Sequence, residues 1–134
     1  VMAAGYQEAI MLDTEGYVSE ASGENVFIIR DGRIITAPLG SSILGGITRH
    51  TLITLAEERG YEVTEQRVTR DFLYVADEIF MTGTAAEVTP VRELDNRVIG
   101  TGEPGPITRE LQAAYFDQVR GRATDHPEWL AYVE

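Results

Sequence analysis

Apolar residues along this chain recur in two rhythms, one alternating or continuous over short stretches and one spaced by three and four. Glu8-Ala9-Ile10-Met11-Leu12-Asp13 has the pattern of a buried strand closed by the turn Thr14-Glu15-Gly16, and Tyr17-Val18-Ser19-Glu20 resumes extended chain, so a hairpin is predicted. A second hairpin is clearer. Asn25–Arg30 and Arg33–Thr36 flank Asp31-Gly32, a dipeptide suited to positive φ in a type I′ turn. Pro38–Gly46 is punctuated by proline and glycine, after which Leu52, Ile53, Leu55 and Ala56 mark a helix over Ile47–Arg59, stopped by Gly60. Tyr61–Val68 has strand propensity, and Thr69-Arg70-Asp71 can cap a short helix through Leu73-Tyr74-Val75.

Glu78–Thr82 is a short apolar strand that runs into Gly83-Thr84-Ala85-Ala86, and Val88–Ile99 carries another hairpin turning near Asp95-Asn96. Pro106 suits a first helical position. Ile107, Leu111, Ala114, Tyr115 and Val119 then make one apolar face of a helix ended by Gly121. The tail from Ala123 to Glu134 is expected to pack through Trp129 and Leu130. Strands and helices are interspersed without repeat, linker or low-complexity tract, which predicts a mixed α/β or α+β fold.

Length and composition sharpen this picture. A chain of 134 residues, 43% apolar and 25% charged, is expected to form a single domain around one core. Its 22 acidic against 11 basic residues give a formal charge of -11, which argues against a non-specific grip on nucleic acid or anionic lipid. Every basic residue is an arginine, so chemistry that needs a lysine within this chain, a Schiff base included, is excluded by inventory. The absence of cysteine removes disulfides, a thiol nucleophile and cysteine-ligated zinc, and is compatible with a reducing compartment. No apolar run approaches a membrane span, so no membrane association is expected.

Two places look ready for an anion. At Gly45-Gly46-Ile47-Thr48 a loop becomes a helix, and free N–H groups at a helix start favour phosphate or carboxylate. The plain alternative is a tight turn with Thr48 as a cap. Gly83-Thr84-Ala85-Ala86 follows a strand directly, and its small side chains let backbone N–H groups approach an anion; a simple turn served by Thr84 would read the same way. Glu20 closes a strand beside Ala21-Ser22-Gly23, where a carboxylate could meet a flat ligand or simply be solvated. His50 and His126 are far apart with no partnering motif, so a metal site is not expected, and His50 reads as a helix-surface residue.

Read in order, GYVSEASGENVFIIRDG, SSILGGITR, ADEIFMTGTAAEVTPVR and IGTGEPGPITRELQ resemble the class IV (fold-type IV) pyridoxal-phosphate (PLP) aminotransferases, from Gly5 to Trp129-Leu130. The resemblance implies the large C-terminal domain of the D-amino acid aminotransferase-like fold, a strand-rich pseudo-barrel flanked by helices, over residues 1–134. It also implies PLP as cofactor. Glu20 would pair with the pyridine nitrogen, Leu44 would pack on the ring, and Gly46, Ile47 and Thr48 would hold the phosphate. Gly83 and Thr84 would add a second phosphate contact, and the backbone N–H groups of Thr84 and Ala85 would take the substrate carboxylate.

Within the family, Ser22-Gly23-Glu24-Asn25 and Gly83–Pro90 are closer to branched-chain aminotransferases than to D-amino acid transaminases or aminodeoxychorismate lyases. By that resemblance the intact enzyme would be cytoplasmic, would form a homodimer or higher homo-oligomer, and would take small amino and 2-oxo acids as substrates. The family's PLP-bearing lysine and its small N-terminal domain lie upstream of the stretch that begins here. The chain therefore reads as a C-terminal portion, inactive alone, with a lysine-free PLP- or phosphate-binding module as the other reading.

Overall fold

A computed structural model describes residues 10–12, 14–21, 24–38, 47–83 and 87–119, with the backbone alone for Met11, Glu20, Ala21 and Glu87. The elements in chain order are β1 (Ile10–Leu12), β2 (Val18–Ala21), β3 (Asn25–Arg30), β4 (Arg33–Thr36), α1 (Ile47–Glu58), β5 (Val63–Glu65), α2 (Arg70–Tyr74), β6 (Glu78–Gly83), β7 (Glu87–Pro90), β8 (Glu93–Leu94), β9 (Arg97–Val98) and α3 (Pro106–Val119). This is the mixed α/β architecture expected from the pattern. The organising feature is a five-stranded sheet in the order β5-β4-β3-β6-β7.

The central strands explain themselves. Val26-Phe27-Ile28-Ile29 and Ile79-Phe80-Met81 are continuous apolar runs because both faces of the sheet are covered. On one face Val26, Ile28, Ile35, Ile79 and Met81 pack with Val18 of β2 and Leu73 of α2. On the other, Phe27, Ile29, Ile34 and Phe80 meet Leu52 and Leu55 of α1 and Leu111 and Tyr115 of α3. Phe27 and Phe80 stack across the strand pair with ring centroids 5.0 Å apart and planes 7° from parallel.

Turn chemistry matches the sequence at two hairpins. Asp31 (φ 52°) and Gly32 (φ 76°) both lie in the left-handed region that joins β3 to β4. Asp95 (φ 51°) and Asn96 (φ 64°) do the same between β8 and β9. Three expectations are revised. The strand predicted over Tyr61–Val68 is confined to Val63–Glu65, at the edge of the sheet among the described residues and running parallel to β4. The hairpin expected over Val88–Ile99 is divided, because Glu87–Pro90 pairs with β6 and leaves β8 and β9 as a separate ribbon. Thr69 stands at the N-cap of α2 but its side chain makes no capping hydrogen bond. The expected packing of Trp129 and Leu130 lies outside the described residues.

Register decides which parts of the chain meet. β3 pairs antiparallel with β6, Asn25 opposite Thr82, and with β4, Phe27 opposite Thr36. One end of the sheet therefore gathers the start of β3 and the ends of β4 and β6. The chain leaves β4 at that end, passes through α1 and returns in β5 parallel to β4, so α1 begins at the same end. α3 packs on α1, β6 and β7. Its start lies at the other end of the sheet, beside Glu78, the first residue of β6.

Candidate functional site

Of the two turns singled out in the sequence, the described residues Ile47, Thr48 and Gly83 fall at one end of the sheet. Gly83 ends β6, and Ile47 and Thr48 begin α1, both at the sheet end where Asn25 opens β3. Ile47 is 86% exposed and Thr48 is buried. The first-turn N–H groups of α1 have no partner within the helix, and the turn carries no acidic residue of its own. A small cleft of about 200 Å³ adjoins the same turn, between Thr48 and Thr51 of α1 and Tyr115 and Gln118 of α3.

Arg49 holds this helix start in place. Its side chain is 5% exposed, and its Nη2 donates both to the Ala37 carbonyl just past β4 (2.9 Å) and to Glu65 Oε1 at the end of β5 (2.5 Å). A cation in the first turn of a helix opposes the helix dipole, so its placement there requires compensation from outside the helix. Glu65 and Ala37 supply it. Thr82 Oγ1, wholly buried one residue before Gly83, and Arg49 Nε are buried polar atoms without a hydrogen-bond partner among the described residues. The sheet end thus combines an acid-free helix start with unpartnered buried polar atoms, a setting that fits an anionic group.

The far end of the sheet is built in the opposite sense. Glu78 is buried at the start of β6, and its carboxylate accepts from the N–H groups of Thr108 (2.8 Å, Oε1) and Ile107 (3.3 Å, Oε2) in the first turn of α3. Gly105 leaves room for it: a Cβ there would stand 2.1 Å from the Glu78 carboxyl carbon. Pro106 is the first helical residue, as its position in the sequence implies.

Of the other sequence-predicted site residues, Glu20 is the third residue of β2, beside β3, and its side chain is outside the described residues. Leu44, Gly46, Thr84 and Ala85 also lie outside them. His50 is exposed on α1, as read from the sequence. Arg49 and Glu78 were not singled out by sequence reasoning. The signal for Arg49 was a basic residue in the first turn of a helix, and that for Glu78 a glycine and proline opening a helix with no acid in its first turn.

Among the described residues the perturbed titrations lie elsewhere, on exposed or half-buried side chains. The Tyr74 hydroxyl and the Arg70 guanidinium donate to Asp95 and hold its carboxyl below the usual range. Tyr61, whose hydroxyl donates to Glu110 (2.5 Å), is pushed up by that hydrogen bond.

Comparison with known proteins decides the family. The sequence model of the family "Amino-transferase class IV" matches residues 1–94. The chain belongs to the class IV aminotransferases. Its relatives within the class include the branched-chain-amino-acid aminotransferase of Pseudomonas aeruginosa, 56% identical over 133 residues, covering 99% of this chain and 43% of that protein. The branched-chain-amino-acid aminotransferase of Escherichia coli K12 is 51% identical over 129 residues, 96% of this chain and 42% of that protein. Among solved structures, the crystal structure of the Escherichia coli branched-chain amino acid aminotransferase superposes with a TM-score of 0.94 at 50% identity, over 98% of this chain and 44% of that one. The chain thus spans less than half the length of these relatives. No helix among the described residues is long and apolar enough to cross a membrane.

Proposed function

We propose that this chain is the C-terminal, cofactor-holding part of a PLP-dependent branched-chain amino acid aminotransferase, which moves the amino group of leucine, isoleucine or valine to 2-oxoglutarate. The observation that carries the reading is the convergence of α1's acid-free first turn and Gly83 on one sheet end. Identities of 51% and 56% to proteins of that name support it. Bound there, PLP would supply the electron sink for amino-group transfer. Gly46, Ile47 and Thr48 hold its phosphate at the start of α1, with Gly83 and Thr84 on the other side. Leu44 packs on the ring, and Glu20 pairs with the pyridine nitrogen and keeps a proton there. The backbone N–H groups of Thr84 and Ala85 bind the substrate carboxylate.

The lysine that holds the cofactor covalently comes from outside these 134 residues, which contain none. The isolated chain is accordingly inactive, and the whole enzyme is a cytoplasmic homo-oligomer. The lysine inventory also favours a second reading, a silent PLP- or phosphate-binding module. Borohydride reduction and amino transfer from leucine to 2-oxoglutarate, measured on the full-length protein, separate the two. The enzyme reading expects a reduced PLP adduct and turnover, with Glu20→Ala lowering turnover by about 100-fold or more at unchanged fold. Full-length protein with neither adduct nor turnover would establish the silent module, and turnover with D-alanine but not leucine would reassign the substrate class.

A further inference from the structure

Arg49 is buried in the first turn of α1, where its charge opposes the helix dipole. One nitrogen of its guanidinium meets both the carbonyl that follows β4 and the carboxylate that ends β5. These two strands are paired in parallel, Thr36 opposite Glu65, so the contacts pin the helix start to a rigid pair of strand ends. We propose that Arg49 is a positioning residue, which sets the start of α1 against the sheet end so that the first-turn N–H groups converge on the anion that also meets Gly83. The proposal rests on the PLP reading above for the identity of that anion as a phosphate monoester.

The geometry gives the role a distinctive signature. A residue that merely stabilises the fold affects every ligand of the domain alike, whereas one that aims the helix start affects only ligands that carry the anion. A flexible Lys would keep the charge but lose the rigid guanidinium that carries the donating nitrogen to both acceptors. Glu65 is the partner through which the same effect should be transmitted.

The test compares PLP with pyridoxal, which lacks the phosphate, as ligands of the full-length enzyme stripped of cofactor. Dissociation constants are measured for wild type, Arg49→Met, Arg49→Lys and Glu65→Gln, with Glu78→Gln at the opposite sheet end as control. The wild type is expected to prefer PLP strongly. Arg49→Met should weaken PLP by about tenfold or more while pyridoxal changes less than about twofold. Arg49→Lys and Glu65→Gln should fall between, and Glu78→Gln should lower thermal stability with the PLP-to-pyridoxal ratio intact. A ratio that stays at the wild-type value in Arg49→Met would overturn the positioning role alone. Should Arg49→Met not fold, an unchanged ratio in both Arg49→Lys and Glu65→Gln overturns the role equally. A wild type without preference for PLP would instead sink the phosphate reading and this proposal with it.

Discussion

The two long helices pack side by side on the same face of the sheet, and their N-termini lie at opposite ends of it. At one end the protein supplies its own anion: Glu78 is buried against the first turn of α3, in space that Gly105 leaves open. At the other end α1 begins with no acid in its first turn, and Arg49 brings a buried cation instead. Both helix starts carry the same N–H groups that no helical carbonyl can satisfy. One is closed by the fold, and the other begins at the sheet end where Gly83 closes β6. The difference teaches that two helix N-termini on one sheet face can be treated in opposite ways, one given a buried carboxylate and the other a buried guanidinium.

The comparison can be broken most forcefully at its closed end. Gly105→Ala puts a methyl where the Glu78 carboxylate lies, so it should cost about 2–4 kcal/mol, measured by urea unfolding of the full-length protein. Combined with Glu78→Ala, the same substitution should add much less than it costs alone, since the carboxylate it displaces is gone. Full additivity would mean that the two positions do not compete for space. At the open end, Arg49→Met should cost a smaller 1–2 kcal/mol or so by the same measurement, because Glu65 is half exposed and stays solvated. A loss as large as that of Gly105→Ala would make Arg49 a structural keystone and erase the contrast.

A gentler probe of the closed end is Glu78→Gln, which keeps the shape and removes the charge facing the α3 dipole. It should lower stability by about 1 kcal/mol. The smallest effect is expected away from both ends, in the exposed cluster of Tyr74, Arg70 and Asp95. The folded state lowers the Asp95 pKa, so the stabilisation is complete above the unfolded-state value near 3.8 and is lost as pH falls through the lower folded value. Tyr74→Phe should move the Asp95 titration, followed by carboxyl-carbon NMR, upward toward the ordinary range. An unmoved titration would assign the shift to Arg70 instead.

Much of this fold was legible in the residues. The Asp31-Gly32 and Asp95-Asn96 turns, the apolar stretches of β3 and β6, and the amphipathic spacing of α1 and α3 are local patterns whose physics is complete within a few residues. The strand over Tyr61–Val68 is shorter than expected, and the start of the hairpin expected over Val88–Ile99 pairs with β6 instead, because pairing depends on which strand edges are vacant in the assembled sheet. The sequence offered the candidate site as two separate turns and a carboxylate, of which the structure describes Ile47, Thr48 and Gly83 but not the Glu20 side chain. Their order along the chain carried the family resemblance, which the family match over residues 1–94 bears out.

What the sequence determined by itself is therefore the set of elements, the turn residues between them, the absence of lysine and the motifs of the class IV aminotransferases. Only the tertiary structure decided that Gly83 and the start of α1, distant along the chain, share one sheet end, and that Glu78 and Gly105 close the other. The reason is physical. Periodicity and turn propensity act over a handful of neighbours, whereas the meeting of distant backbone ends is set by strand register and by the crossover through α1, neither of which any short stretch of sequence contains.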